Sequence, residues 1–225
     1  MDILIITGGR IDEDFALGFL YEHRFSHIIV VDGALAFWDK VEKKFNKGLK
    51  FDHLVGDFDT ISPDILEKYQ DREDITVHRF IPEKDYTDTD IAAKLAVDLG
   101  REEAGSRIFF LGATGSRADH SLANIQLLKY IHDRGQEAFL VDANNRIRLI
   151  SGKTVLKKKD LFGYYLSLIP LSERIESVTM RGVKYEVTGL EVVMGQTRCV
   201  SNEVTADECS IDIGGGIAWL IESRD

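Results

Sequence analysis

An α/β domain followed by an all-β sandwich is the fold this sequence predicts, and three observations carry that reading. Short apolar runs alternate with helically spaced apolar residues up to about residue 143. From about residue 146 the helical period vanishes, and short β-rich runs take over. Between the two lies Asp142-Ala143-Asn144-Asn145, a polar stretch with turn chemistry. A first domain over 1–143 and a second over 146–225 follow.

In the first part, the runs at 3–7, 27–31, 53–55, 75–80, 107–111 and 138–142 read as strands. Between them, 92–99 and 122–131 carry apolar residues at helical spacing. Strands alternating with helices imply βα units, hence a mostly parallel, Rossmann-like sheet with helices on both faces. In the second part the runs lie at 146–150, 154–157, 164–169, 177–180, 190–193, 210–213 and 217–221. Gly152, Gly163, Gly182, Gly189, Gly195 and Gly214-Gly215-Gly216 punctuate them. Short strands with glycine turns point to an antiparallel sandwich or barrel.

Composition narrows the function. A chain of 225 residues can bury a sizeable core, and its net charge of −10 argues against a nucleic-acid partner. Cys199 and Cys209 form no CxxC and no zinc spacing, which fits a reducing cytoplasm. The opening apolar run Ile3-Leu4-Ile5-Ile6 is short and lacks a basic start, so it reads as a strand rather than a signal peptide. No segment approaches the ~18 apolar residues of a membrane span.

Three acidic clusters, each just beyond a predicted strand, mark the candidate site. They are Gly56-Asp57-Phe58-Asp59, Glu83-Lys84-Asp85-Tyr86-Thr87-Asp88 and the stretch from Gly112 to His120. In an open parallel sheet, ligands bind beyond the carboxyl ends of the strands, so the three converge on one crevice. Clustered carboxylates repel, a cost tolerated mainly where a divalent cation sits between them; magnesium-bound polyphosphate suits such a place. On an extended backbone Asp57 and Asp59 point to one side. The same residues, with Thr60 and Ser62, also fit a turn and helix cap before Pro63. Thr87 reads as a helix N-cap with Asp90 closing the box, while Asp85 and Asp88 face the crevice. Lys84 is either a phosphate neutraliser or a solvated lysine. Around Thr114 and Gly115 small residues expose backbone N–H groups, a nest for anions. Arg117 can fork onto phosphate; Asp119 can bind metal or the attacking hydroxyl, or cap the next helix. No GxxxxGK[ST] occurs, which excludes a P-loop.

In this order the clusters resemble the thiamine pyrophosphokinase family. Gly56–Thr60 is similar to its GDFDS-type motif, Lys84–Asp88 to its acidic stretch ending in T-D, and Gly112–His120 with Asn124 to its glycine-rich R-x-D-H segment. Asp32-Gly33-Ala34 matches its D-G-G-A turn with one glycine missing. Gly182-Val183-Lys184-Tyr185 and Ser201-Asn202 resemble its C-terminal signatures.

The resemblance implies transfer of diphosphate from ATP to the hydroxyethyl group of thiamine, giving thiamine diphosphate and AMP. It implies Mg²⁺ on Asp57, Asp59 and Asp85, polyphosphate on Arg117, and the hydroxyl or metal at Asp88 or Asp119. Asp32 and Gly33 would approach the nucleotide, alongside Lys84, Thr114 and Gly115. It further implies a homodimer whose site joins one subunit's α/β domain to the other's β domain, where Ser201 and Asn202 meet thiamine's pyrimidine. Trp219 could stack there, but its apolar strand pattern fits a core residue better. A pyrophosphokinase with another acceptor, such as a hydroxymethylpterin, would share the acidic core; Ser201-Asn202 favours thiamine. A Mg²⁺-dependent phosphatase using Asp57 as nucleophile usually has Thr or Val where Ile61 stands. A nucleotide sensor without catalysis would not need so many carboxylates.

Overall fold

The computed structural model describes residues 1–44, 49–81 and 85–225. The chain forms two compact units, Met1–Ala143 and Asn144–Asp225.

In the first unit every strand pairing is parallel. The strands are β1 (Asp2–Ile6), β2 (His27–Val31), β3 (His53–Gly56), β4 (Thr76–Arg79), β5 (Arg107–Leu111) and β6 (Glu137–Val141), in the spatial order β6-β5-β1-β2-β3-β4. Ile3 to Ile6 are fully buried, because both faces of β1 are covered. The chain runs outward from β1 to β4, then returns to β5 on the other flank of β1. That reversal opens a crevice at the carboxyl ends of β1 and β5.

Helices fill the crossovers: α1 (Glu13–Glu22), α2 (Leu35–Lys44), α3 (Pro63–Tyr69), α4 (Asp88–Gly100) and α5 (Ala118–His132). The reversal sends α4 and α5 to one face of the sheet, where they touch each other, and α2 and α3 meet on the other. The helical runs at 92–99 and 122–131 are the cores of α4 and α5. Helices α1 and α2 carry weaker sequence signatures. Helix α1 is apolar on several sides, with Phe15, Ala16, Leu17, Phe19 and Leu20 around Gly18, so no clean stripe stands out. In α2 the buried face includes Asp39 among Leu35, Trp38 and Val41. Its carboxylate is paired with Lys43 at 2.6 Å and Lys68 at 3.1 Å, which makes its burial tolerable.

The second unit is antiparallel throughout. Its strands are β7 (Asn145–Lys157), β8 (Tyr165–Pro170), β9 (Arg174–Arg181), β10 (Val187–Val193), β11 (Asn202–Glu203) and β12 (Glu208–Ser223). Runs 146–150 and 154–157 are one strand, β7, and runs 210–213 and 217–221 are likewise one strand, β12. The sequence breaks are bends: the β7–β12 ladder shifts register between Ile213 and Ala218, beside Gly152 and the three consecutive glycines. Before the bend β12 pairs with β9, and after it with β8. Both sheet halves thereby enclose one core, including Leu166, Leu168, Ile175, Met180, Ile211 and Leu220.

The loops after β1 and β5 interlock. Gly9 N donates to Gly112 O at 2.9 Å, and Thr7 Oγ1 donates to the same carbonyl at 2.6 Å. A Cβ on Gly112 would lie 2.3 Å from Thr7 O, at a left-handed φ of 71°. Gly105 has a similar φ of 78° but open space around it. Gly105→Ala should therefore cost only the ~1–2 kcal/mol of the left-handed conformation, and Gly112→Ala distinctly more, in chemical denaturation. Equal losses would mean that the interlock yields easily.

Candidate active site

The crevice at the strand ends encloses about 770 Å³. Its wall includes Thr7, Gly8 and Gly9 after β1, Asp32 and Gly33 after β2, Asp57 and Thr60 after β3, and Gly112 and Ala113 after β5. Asp85, Tyr86, Thr87 and Asp88 come from the start of α4, and Ser116, Arg117, His120 and Asn124 from the start of α5. The three acidic clusters thus reach one place. Lys84 lies outside the described residues.

Asp32, Asp57 and Asp59 form its most concentrated charge. Each offers a carboxylate oxygen, and the three atoms lie within 4.8 Å of one another. The convergence of Asp57 and Asp59 does not come from extended backbone, as the sequence suggested. Phe58 between them adopts a left-handed φ of 67° and buries its ring, with the Arg79 guanidinium 4.8 Å from the ring centroid. Asp59 N donates to Asp57 Oδ1 at 3.3 Å across the turn. Gly56 is required here on steric grounds: a Cβ would sit 3.0 Å from Asp32 Cβ and 3.1 Å from the Phe58 ring. Ser62 occupies the N-cap position of α3 without a side-chain capping bond, so these residues are not primarily a cap.

Asp32 belongs to this group, a role that the turn-like Asp-Gly-Ala sequence did not signal. Its Oδ2 accepts a bond from Thr60 Oγ1 at 2.5 Å, while Oδ1 is buried and has no hydrogen-bond partner among the described residues. A buried carboxylate oxygen without a donor, in an oxygen-only donor set, fits a hard divalent cation. Asp85 lines the same crevice but is not one of the three converging carboxylates. The charge of Asp57, followed by desolvation and by Asp32 and Asp88, raises the carboxyl of Asp59 above its ordinary range.

The glycine-rich segment is held rather than loose. Thr114 Oγ1 donates to Asp142 Oδ2 at 2.6 Å, and Asn124 donates to Ala113 O at 2.9 Å from a buried position in α5. Thr114 and Gly115 are not part of the crevice wall. Arg117 makes a two-pronged pair with Asp119, at 3.1 and 2.6 Å, in the exposed first turn of α5. Asp119 also accepts from His120 N, and the guanidinium together with this N–H lowers its carboxyl to about 2. An acid of that strength is a poor proton acceptor; in this arrangement Asp119 orients Arg117. Thr87 caps α4 through Asp90 N as its sequence predicts, and Asp90 pairs with Lys94.

In the second unit Ser201 is exposed at a φ of 56°, with its N–H donating to Ser167 Oγ at 3.0 Å. The Asn202 carboxamide is buried: its oxygen accepts from Tyr185 N and Glu203 N, and its nitrogen donates to Tyr185 O. The family resemblance implied that Asn202 meets thiamine; in the structure its carboxamide fastens the Gly182–Tyr185 turn to β11. Trp219, partly buried, pairs with Leu149 and Ile169 within the ladder.

Fold and crevice together define the class: a parallel α/β protein whose strand-end crevice gathers several carboxylates and an arginine. Residues 19–140 match the family "Thiamin pyrophosphokinase, catalytic domain", and residues 153–217 match "Thiamin pyrophosphokinase, vitamin B1 binding domain". Thiamine pyrophosphokinase of Bacillus subtilis is 34% identical over 170 residues, covering 76% of this chain and 77% of the relative. The crystal structure of that enzyme superposes with a TM-score of 0.81 at 29% identity over 100% of both chains. The Geobacillus thermodenitrificans enzyme gives 0.79 at 31%, over 100% of this chain and 98% of the other. The chain belongs to the thiamin pyrophosphokinase family.

The raised Asp59 carboxyl has a measurable sign. Its ionised form is disfavoured in the folded state, so the destabilisation is absent below the ordinary carboxylate range near ~3.9 and fully present above the raised value. Asp59→Asn should therefore raise the melting temperature of metal-free protein at neutral pH, and the gain should fade as pH falls through that range. A divalent cation should narrow the gap by stabilising the unaltered chain. Equal melting temperatures in chelator at neutral pH would show that the repulsion is not felt.

Proposed function

We propose that this chain transfers the β,γ-diphosphoryl group of ATP to the hydroxyethyl oxygen of thiamine, giving thiamine diphosphate and AMP. The convergence of Asp32, Asp57 and Asp59 in the crevice of a thiamin pyrophosphokinase family member carries this reading. The oxygen–Pβ bond forms as the bond from Pβ to the α-bridging oxygen breaks, AMP departs, and the hydroxyl proton is released. A diphosphoryl transfer of this type depends mainly on alignment and charge neutralisation.

Asp57, Asp59 and Asp32 would hold Mg²⁺, with Asp85 reaching the same ion or its waters. When bound, Mg²⁺ supplies charge neutralisation of the polyphosphate. Arg117, oriented by Asp119, is aimed at phosphate oxygens, and the N–H groups of the glycine-rich segment accept further negative charge. Asp88, opening α4 in the crevice wall, is better suited than Asp119 to face the acceptor hydroxyl. Gly33 leaves room for the nucleotide, since it carries no side chain toward the crevice. Ser201 is the residue of its pair available to thiamine, and Asn202 fixes the turn beside it. The active form is a homodimer in this reading, with the acidic unit of one subunit completed by the β unit of the other.

Purified chain with ATP, Mg²⁺ and thiamine should yield AMP and thiamine diphosphate in equal amounts. ADP or free phosphate as the main product would overturn the assignment. Asp57→Asn should lower turnover by at least about 10²-fold with the fold intact; near-normal turnover at saturating Mg²⁺ would remove Asp57 from the metal set. For the dimer, an Asp57→Asn chain mixed with a Ser201→Ala/Asn202→Ala chain should regain activity that neither has alone. With exchange of tagged subunits demonstrated, failure to regain it would retire the shared site.

A further inference from the structure

Away from the crevice, three histidines stand in a row on adjacent parallel strands. His27 opens β2, His53 opens β3, and His78 lies in the edge strand β4. The register places all three on one face of the sheet. His53 is level with Ile29, two residues beyond His27, and His78 is level with Val55, two beyond His53. Ring centroids are 5.8 Å apart for His27 and His53, and 5.4 Å for His53 and His78.

The nitrogens are arranged for more than packing. His53 Nδ1 and His78 Nε2 are 3.3 Å apart, long for a hydrogen bond whose usual distance is about 2.9–3.0 Å. Two imidazole nitrogens on one tetrahedral zinc-type ion, each at about 2.0–2.1 Å, stand roughly 3.3 Å from each other. Nδ1 of His27 is buried and lacks a hydrogen-bond partner among the described residues. Burial holds both His53 and His78 below the ordinary histidine value, so at neutral pH each keeps a lone pair free of a proton.

We propose that this row binds one divalent transition-metal ion of the zinc class. His53 Nδ1 and His78 Nε2 are the preformed ligands, His27 joins after rotation of its ring, and water completes the tetrahedron. Imidazole donors favour such an ion over Mg²⁺, whereas the carboxylates at Asp32, Asp57 and Asp59 favour a hard cation. The two places are chemically and spatially separate, since the four steps of chain from His53 along β3 to Asp57 span roughly 13 Å. A bound ion would tie the edge strand β4 to β3.

Cobalt(II) is the probe, added to chain without an affinity tag in excess Mg²⁺, which occupies the carboxylates. One equivalent should develop the visible absorption of tetrahedral Co²⁺, and Zn²⁺ should abolish it. His53→Gln, His78→Gln and His27→Gln should each weaken binding at least ~10-fold. No absorption, or one that survives in the His53→Gln/His78→Gln double variant, overturns the site. Unchanged binding in His27→Gln overturns the three-histidine set. A second readout needs no variant: one equivalent of Zn²⁺ should raise the melting temperature at neutral pH, and the rise should vanish only once acid protonates the row, below the ordinary histidine range because burial favours the neutral rings. No rise at neutral pH also overturns it.

Discussion

Much of the first unit turns on one close approach, that of the loops after β1 and β5. The carbonyl of Gly112 accepts from both Gly9 N and Thr7 Oγ1, and no side chain fits between the two backbones. This contact closes the gap left where the chain reverses direction across β1. It also fixes the start of the glycine-rich segment, which Asn124 and Asp142 then anchor from α5 and β6. Arg117 inherits its position from that chain of contacts.

Against this rigid floor the carboxylates are held in mutual repulsion. The left-handed turn at Phe58 drives the aromatic ring inward and leaves the flanking aspartates outward, so burial of an apolar side chain enforces an unfavourable charge arrangement. Asp32 approaches from the next strand because Gly56 lacks a side chain. Each of these features destabilises the unliganded protein locally, and each is understandable where a cation and a polyanion are to be held.

The alternation of strands and helices and the placement of the acidic clusters were legible because both follow from local pattern and strand-end position. The extra roles of Asp32 and Asn202 were not, because they depend on contacts distant in sequence: Asp32 against Gly56 and Thr60, and Asn202 against Tyr185. The Arg117–Asp119 pairing was within local reach, only two residues apart, yet a phosphate-binding arginine and a carboxylate-bound one share the same sequence. Glycine breaks in the β unit read as strand ends, whereas the ladders carry β7 and β12 straight through them with a bend.

That ladder has a consequence for how the β unit forms. Its first strand, β7, pairs with its last, β12, from Asn145 opposite Ser223 to Lys157 opposite Glu208. The central contacts of the unit are thus also those most separated along the chain, and loop-closure entropy must be met before they can form. β8 and β9 both depend on β12 as well. Nascent chain emerging as far as β11 can pair β9 with β10 and β8 with β11, but it lacks the strand that joins β7, β8 and β9, so the core closes only when β12 arrives. Until then its apolar strand faces are accessible to other chains, which makes this half the vulnerable one during synthesis.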